Sequence, residues 1–131
     1  GDSVVALDLS SGKMKWYFQM THHPIWDYDM SSPPLVADIT VDGKPVQALA
    51  VPSKQAFLYM FDRISGKPIW PILEKPVAQT DVPGEKTAKT QPFPTKPPAY
   101  SRQSITDAEL IDFTPALKKE AQDLIKAHYK M

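Results

Sequence analysis

Two stretches of this chain repeat one another. Val4-Val5-Ala6-Leu7-Asp8-Leu9-Ser10-Ser11-Gly12-Lys13-Met14-Lys15-Trp16 aligns with Leu58-Tyr59-Met60-Phe61-Asp62-Arg63-Ile64-Ser65-Gly66-Lys67-Pro68-Ile69-Trp70, and five of the nine positions from Asp to Trp are identical at an offset of 54. Each copy reads as a strand, a tight turn and a second strand that opens toward a large aromatic. The Asp accepts the backbone donors of its own turn, the Gly supplies the left-handed position and the Trp presents a broad packing surface. Such a unit cannot bury its Trp alone, so the repeat implies stacking of neighbouring units, as in the blades of a propeller.

Around the repeat, short β-branched and aromatic runs at Val4–Leu7, Pro34–Ala37, Val46–Val51 and Ala56–Phe61 alternate with turn signals at Ser10-Ser11-Gly12, Val41-Asp42-Gly43 and Ile64-Ser65-Gly66. This is the signature of antiparallel β structure. Asp42-Gly43 is the strongest turn, because a type I′ hairpin needs positive φ at both central residues.

Proline breaks the pattern. Eight of the 14 prolines fall between Pro68 and Pro98. Each removes a backbone donor and fixes φ, which bars central strand or helix interior and predicts an extended connector. Beyond it, Thr106-Asp107-Ala108-Glu109 predicts a capped helix start, and Thr114-Pro115 starts a second helix. There Leu117, Ala121, Leu124, Ile125 and His128 share one face, which would pack on the body or dock a partner. The expected fold is mainly β: about one and a half antiparallel propeller blades. Residues 1–31 end one blade and carry a site loop, 32–70 form a blade, 71–105 are the connector and 106–131 the helical segment.

Charge and composition exclude several functions. Fifteen Lys+Arg balance 15 Asp+Glu, which leaves no footprint for nucleic acid. Zero cysteine removes disulfides, thiolate zinc sites and cysteine nucleophiles. No apolar run reaches the roughly 18 residues of a membrane span. Because the chain starts at Gly1 without an initiator methionine, it reads as a processed or excised piece.

Polar and aromatic groups concentrate in Thr21-His22-His23-Pro24-Ile25-Trp26-Asp27-Tyr28-Asp29. Asp27 is the first choice as general base: beside Trp26 its carboxylate is expected to be partly desolvated, and it could also serve as a hard oxygen ligand to a metal. Asp29 reads as a solvated or turn-capping residue. Adjacent His22 and His23 point apart on extended backbone and are poor partners for one metal. Lys54, between two strands, stands out in no way by itself.

These residues together resemble the pyrroloquinoline-quinone-dependent dehydrogenases, the quinoproteins. The string Ala6-x-Asp8-x-x-Ser11-Gly12-x-x-x-Trp16 is similar to that family's tryptophan-docking motif, which locks the blades of an eight-bladed propeller. The second copy carries Met60 in place of Ala and keeps Asp62, Gly66 and Trp70. His22 to Asp29 followed by Pro34-Leu35-Val36-Ala37-Asp38-Ile39, and later Thr90-Gln91-Pro92-Phe93-Pro94, resemble the membrane glucose-dehydrogenase branch. The resemblance spans nearly this whole chain but about a quarter or less of a family member.

By that resemblance Asp27 matches the catalytic aspartate and Lys54, 27 residues on, the basic residue that hydrogen-bonds the quinone oxygens, with Trp26 a further cofactor contact. It implies that the aspartate takes a hydroxyl proton while hydride passes to the quinone, with Ca2+ or Mg2+ as Lewis acid. It further implies a sugar or alcohol substrate, a quinone or cytochrome electron acceptor, and a periplasmic protein, membrane-associated at full length. The isolated segment would then be inactive, with the remaining blades, or self-association, covering its exposed faces. A noncatalytic scaffold of the same repeats would share the docking string without reason to keep Trp26, Asp27 and Lys54. A free-standing interaction module would need a compact fold from this chain alone.

Overall fold

The computed structural model describes Asp2 to His128 and divides after Tyr100 into two units. The first unit is antiparallel β throughout. Strands β1 (Ser3–Leu7) and β2 (Met14–Gln19) form one hairpin, β3 (Leu35–Val41), β4 (Lys44–Pro52) and β5 (Leu58–Asp62) form a three-stranded meander, and β6 (Ile72–Pro76) pairs with β7 (Thr90–Pro94). Asp42 and Gly43 have φ of 49° and 76°, and Val41 pairs directly with Lys44, so the two-residue hairpin forms as its sequence dictates.

The repeat is structural as well as sequential. In the first copy the Asp8 Oδ1 accepts from the Ser10 and Ser11 amides and hydroxyls at 2.7–3.2 Å, and the Gly12 amide closes the turn onto the Asp8 carbonyl at 2.8 Å. In the second, Asp62 Oδ1 accepts from the Ile64 and Ser65 amides and the Ser65 hydroxyl at 2.7–3.1 Å, and Gly66 closes at 2.8 Å. These bonds, led by the serine hydroxyls, hold the Asp8 carboxyl well below the usual carboxylate range. Pairing also keeps the offset: Leu7 faces Met14, and 54 residues later Phe61 bridges Pro68. The second copy's outgoing segment is limited to that bridge, made by the Asp62 amide on the Lys67 carbonyl at 2.8 Å and the Ile69 amide on the Met60 carbonyl at 2.9 Å.

Tryptophan joins the two copies. The Trp16 indole N–H donates to the Arg63 carbonyl at 3.2 Å, and its ring lies over Gly66 so closely that a β-carbon there would come within 2.5 Å of Cδ2. Gly12, the equivalent position in the first copy, has nothing within 4 Å of where a β-carbon would stand. Trp70 is half-buried against Ala48, Ala50 and Met60.

Strand alternation sorts the meander into two faces. Leu49, Val51, Tyr59 and Phe61 enter the main core with Val4, Met20 and Phe57, whereas Ala48, Ala50 and Met60 line the other side. Phe18 and Trp16 pack tilted on Phe61 with centroids at 5.0 and 6.0 Å. Val5, Leu7, Leu35 and Val36 remain exposed.

The proline-rich segment departs from expectation. Residues 72–76 and 90–94 pair as a ribbon rather than running as an unpaired connector, with Glu74 opposite Pro92 and Ile72 opposite Pro94. A two-stranded ribbon has only edges, so each proline can face away from the ladder. Phe93 ties the ribbon to the core by an edge-on contact with Phe57 at 5.5 Å.

In the second unit the expected first helix is only a 3-10 turn, Asp107–Glu109. Leu110 is extended and stops it. The Glu109 carboxylate accepts from the Thr106 amide at 2.8 Å and hydroxyl at 3.0 Å, within the capping box that the sequence predicts. These bonds, with the Arg102 guanidinium, pull Glu109 down to about 2. Helix α1 (Pro115–His128) starts at the proline, capped by the Thr114 hydroxyl on the Leu117 amide at 3.2 Å, and none of its described side chains is buried. Among the described residues no helix is long and apolar enough to cross a membrane.

Candidate active site

The loop leaving β2 is anchored before it turns. Met20 and Thr21 are fully buried, the Met20 amide donates to the Asp2 carbonyl at 2.8 Å, and the buried Tyr59 hydroxyl reaches both the Met20 and Pro92 carbonyls, at 3.3 and 3.0 Å. Burial, followed by the Glu74 charge, drives the Tyr59 hydroxyl far above the usual phenol range, so it stays a neutral donor. Beyond this anchor the chain takes left-handed backbone at His23 and Asp27, with φ of 40° and 58°. Asp is among the few residues that accept that conformation readily.

Asp27 and Lys54 meet. Lys54 sits in the turn between β4 and β5, where the Ser53 amide donates to the Phe57 carbonyl at 3.0 Å and Ala56 takes φ of 63°. Its Nζ donates to the Asp27 carbonyl at 3.0 Å, the Asp27 carboxylate at 3.2 Å and the Asp29 carboxylate at 3.1 Å. An ammonium has three protons, and three oxygens surround this one. The Asp29 bond, then that of Asp27, raises the affinity of Lys54 for its proton, while Lys54 and then Asp27 lower the Asp29 carboxyl.

One reading of this loop is extended and another changes. Asp29 is solvated, its side chain 58% exposed, and is in addition an ion-pair partner of Lys54. With Asp27 left-handed the segment is not a regular extended strand, and the two carboxylates come together on the Lys54 ammonium. Asp27 is not desolvated by its neighbour: its side chain is 82% exposed, and the Trp26 ring stacks on Tyr28 at 5.6 Å and 27°. The site is therefore an open, charged one.

The two histidines do diverge. His22 Nε2 meets Glu74 on β6 at 3.0 Å, and His23 Nε2 meets Glu85 in the ribbon's connecting loop at 3.0 Å. Burial works to raise the Glu74 carboxyl, but the bonds from His22 and Thr90 outweigh it and its net shift is downward. Neither the ribbon contacts nor Gln91, which bonds His22 through its main chain, carried a sequence signal as site residues.

The cluster sets one ammonium between two carboxylates. Lys54 offers a permanently charged donor to an electron-rich oxygen. Asp27 and Asp29 are hard oxygen ligands, but Lys54 already lies between them, and among the described residues no group of three His, Cys, Asp or Glu side chains could hold a metal ion. Companions for Asp27 as a metal ligand would therefore come from outside the described residues.

Comparison with known proteins places the chain among propeller dehydrogenases. The family described as "Glucose/ethanol/alcohol dehydrogenase, beta-propeller domain" matches residues 1–130. The quinate/shikimate dehydrogenase (quinone) of Acinetobacter baylyi is 34% identical over 86% of this chain and 14% of its own length. Quinoprotein glucose dehydrogenase A of Acinetobacter calcoaceticus is 44% identical over 70% of this chain and 12% of its own. The crystal structure of the quinohemoprotein alcohol dehydrogenase of Comamonas testosteroni aligns at a TM-score of 0.51 and 30% identity, covering 83% of this chain and 14% of that one. The chain thus spans only a small part of the relatives it matches.

Proposed function

Because the chain belongs to the β-propeller family of quinone-dependent glucose, ethanol and alcohol dehydrogenases, we propose that it supplies the base and a quinone-holding cation to such an enzyme. The observation that carries this is the contact of Lys54 with Asp27 across 27 residues of sequence, with both groups reachable from solvent.

In this reading the substrate is a sugar or alcohol, and Asp27 removes its hydroxyl proton as the carbon-bound hydrogen leaves as hydride. Pyrroloquinoline quinone, when bound, supplies the acceptor for that hydride. The substrate loses two electrons and two hydrogens and becomes a carbonyl compound; the proton rests on the Asp27 carboxylate. Lys54, held protonated by its carboxylate partners, turns a donor to the quinone oxygens and offsets the negative charge that grows there. Asp29 keeps Lys54 anchored while Asp27 works. Trp26, with Tyr28 stacked behind it, offers an aromatic face at the same loop. The family's divalent cation would draw its ligands from beyond these residues, since among the described ones no group of three His, Cys, Asp or Glu side chains comes together. Electrons then leave to a quinone or cytochrome, with the whole protein in the periplasm.

The test is Asp27→Asn in the full-length protein. Turnover should fall by about 10²–10⁴ with quinone binding kept, read by dye reduction and by quinone absorbance. Unchanged turnover removes Asp27 from the chemistry. The purified 131-residue chain should reduce no dye, and quinone-dependent activity from it would overturn the view that the site is completed elsewhere.

A further inference from the structure

Both halves of the site are tied down by the proline-rich segment. Gln91 on β7 is 2% exposed, and its side-chain amide grips the main chain of His22 from both sides: Oε1 accepts the His22 amide at 2.8 Å and Nε2 donates to the His22 carbonyl at 2.6 Å. Only a carboxamide carries a donor and an acceptor so disposed, and the two bonds fix which way it faces. His22 is five residues before Asp27, between the buried Met20-Thr21 anchor and the left-handed turns. Farther along, Tyr100 grips the other half. Its amide donates to the Ala56 carbonyl at 2.9 Å and its hydroxyl to the Ser53 carbonyl at 2.6 Å, so the bonds flank Lys54 on either side. Neither Ser53 nor Ala56 belongs to a strand, and Ala56 is left-handed.

We propose that residues 71–100 act as a positioning strap, in which Gln91 sets the Asp27 loop and Tyr100 sets the Lys54 turn, so that base and cation are held in register by one stiff segment. The proposal rests on the roles given above to Asp27 and Lys54. Its physical basis is that a misplacement of about 1 Å from a remote change can cost about a hundredfold in rate. Proline suits the strap because it reduces the conformational freedom that a flexible loop would have to lose.

The experiment uses the full-length protein with Gln91→Met, Gln91→Glu and Tyr100→Phe. Gln91→Met keeps volume and removes both bonds; kcat should fall about tenfold to a hundredfold with KM within twofold, and amide exchange should accelerate across 22–29 but not in β4 or β5. Gln91→Glu keeps the acceptor and loses the donor, and should fall between; it carries the test if Gln91→Met does not fold. Tyr100→Phe should speed exchange at 53–56 and weaken pyrroloquinoline quinone binding several-fold. Faster exchange with kcat and quinone affinity unchanged would reduce the strap to ordinary scaffolding, and unchanged exchange would remove the grip itself. Asp27→Asn is the control that separates the ideas: if it keeps full turnover the catalytic reading fails, while the exchange results still judge the strap.

Discussion

Gly66→Ala should damage the molecule far more than the matching change Gly12→Ala. Both glycines are left-handed, with φ of 72° and 69°, so each alanine incurs about 1–2 kcal/mol of backbone strain. At Gly12 that is the whole effect, since nothing lies within 4 Å. At Gly66 the new methyl would stand 2.5, 2.6 and 2.8 Å from Cδ2, Cγ and Cε3 of Trp16. The indole has little room to retreat, being bonded to the Arg63 carbonyl and packed on Phe61. Overpacking of this kind costs about 1–3 kcal/mol more, for a total of about 2–5 kcal/mol. Urea unfolding of the 131-residue chain followed by circular dichroism measures both variants. Repeating Gly66→Ala in a Trp16→Ala background isolates the clash, because the cost should shrink to the strain alone. Equal losses at Gly12 and Gly66, or no change in the Trp16→Ala background, would refute the docking argument.

Two further outcomes rest on polar groups. Tyr59→Phe leaves the Met20 and Pro92 carbonyls without their donor and should cost about 1–3 kcal/mol in urea unfolding; a neutral result would mean that neither bond matters. The depressed Asp8 carboxyl predicts an acid-sensitive turn: its contribution is complete above about pH 4, the unfolded value, and is lost as pH falls through the lower folded value. The Ser11 amide resonance should therefore titrate well below pH 4 in the wild type and not at all in Asp8→Asn; a midpoint at the ordinary carboxylate value would contradict it.

Much of this was legible because it is local. The Asp–Ser–Gly turn closes within five residues, the Asp42-Gly43 hairpin within four, and alternation fixes the two faces of β4 and β5, so sequence alone carries them. Lys54 was different: no spacing or neighbour distinguishes it, and only family resemblance paired it with Asp27. Asp29, Gln91 and Tyr100 escaped because their roles lie in contacts 25, 69 and 47 residues away, made partly to main-chain atoms that every residue type shares. The ribbon escaped for the opposite reason. Its prolines are a strong local signal against strand, and pairing at edges overrode it. The desolvation expected at Asp27 failed since adjacency in sequence does not set where an indole faces; Trp26 found Tyr28 instead.

The seat of Trp16 also imposes an order of events during synthesis. Its hydrogen-bond acceptor, Arg63, is made 47 residues later, which at ribosomal rates of about 5–20 residues per second is a delay of about 2–10 s. Throughout that interval the hairpin of β1 and β2 can close but its indole has nowhere to go. The first repeat therefore emerges with an unfilled obligation to the second, and an N-terminal truncation leaves a turn uncovered where a C-terminal one strands a tryptophan.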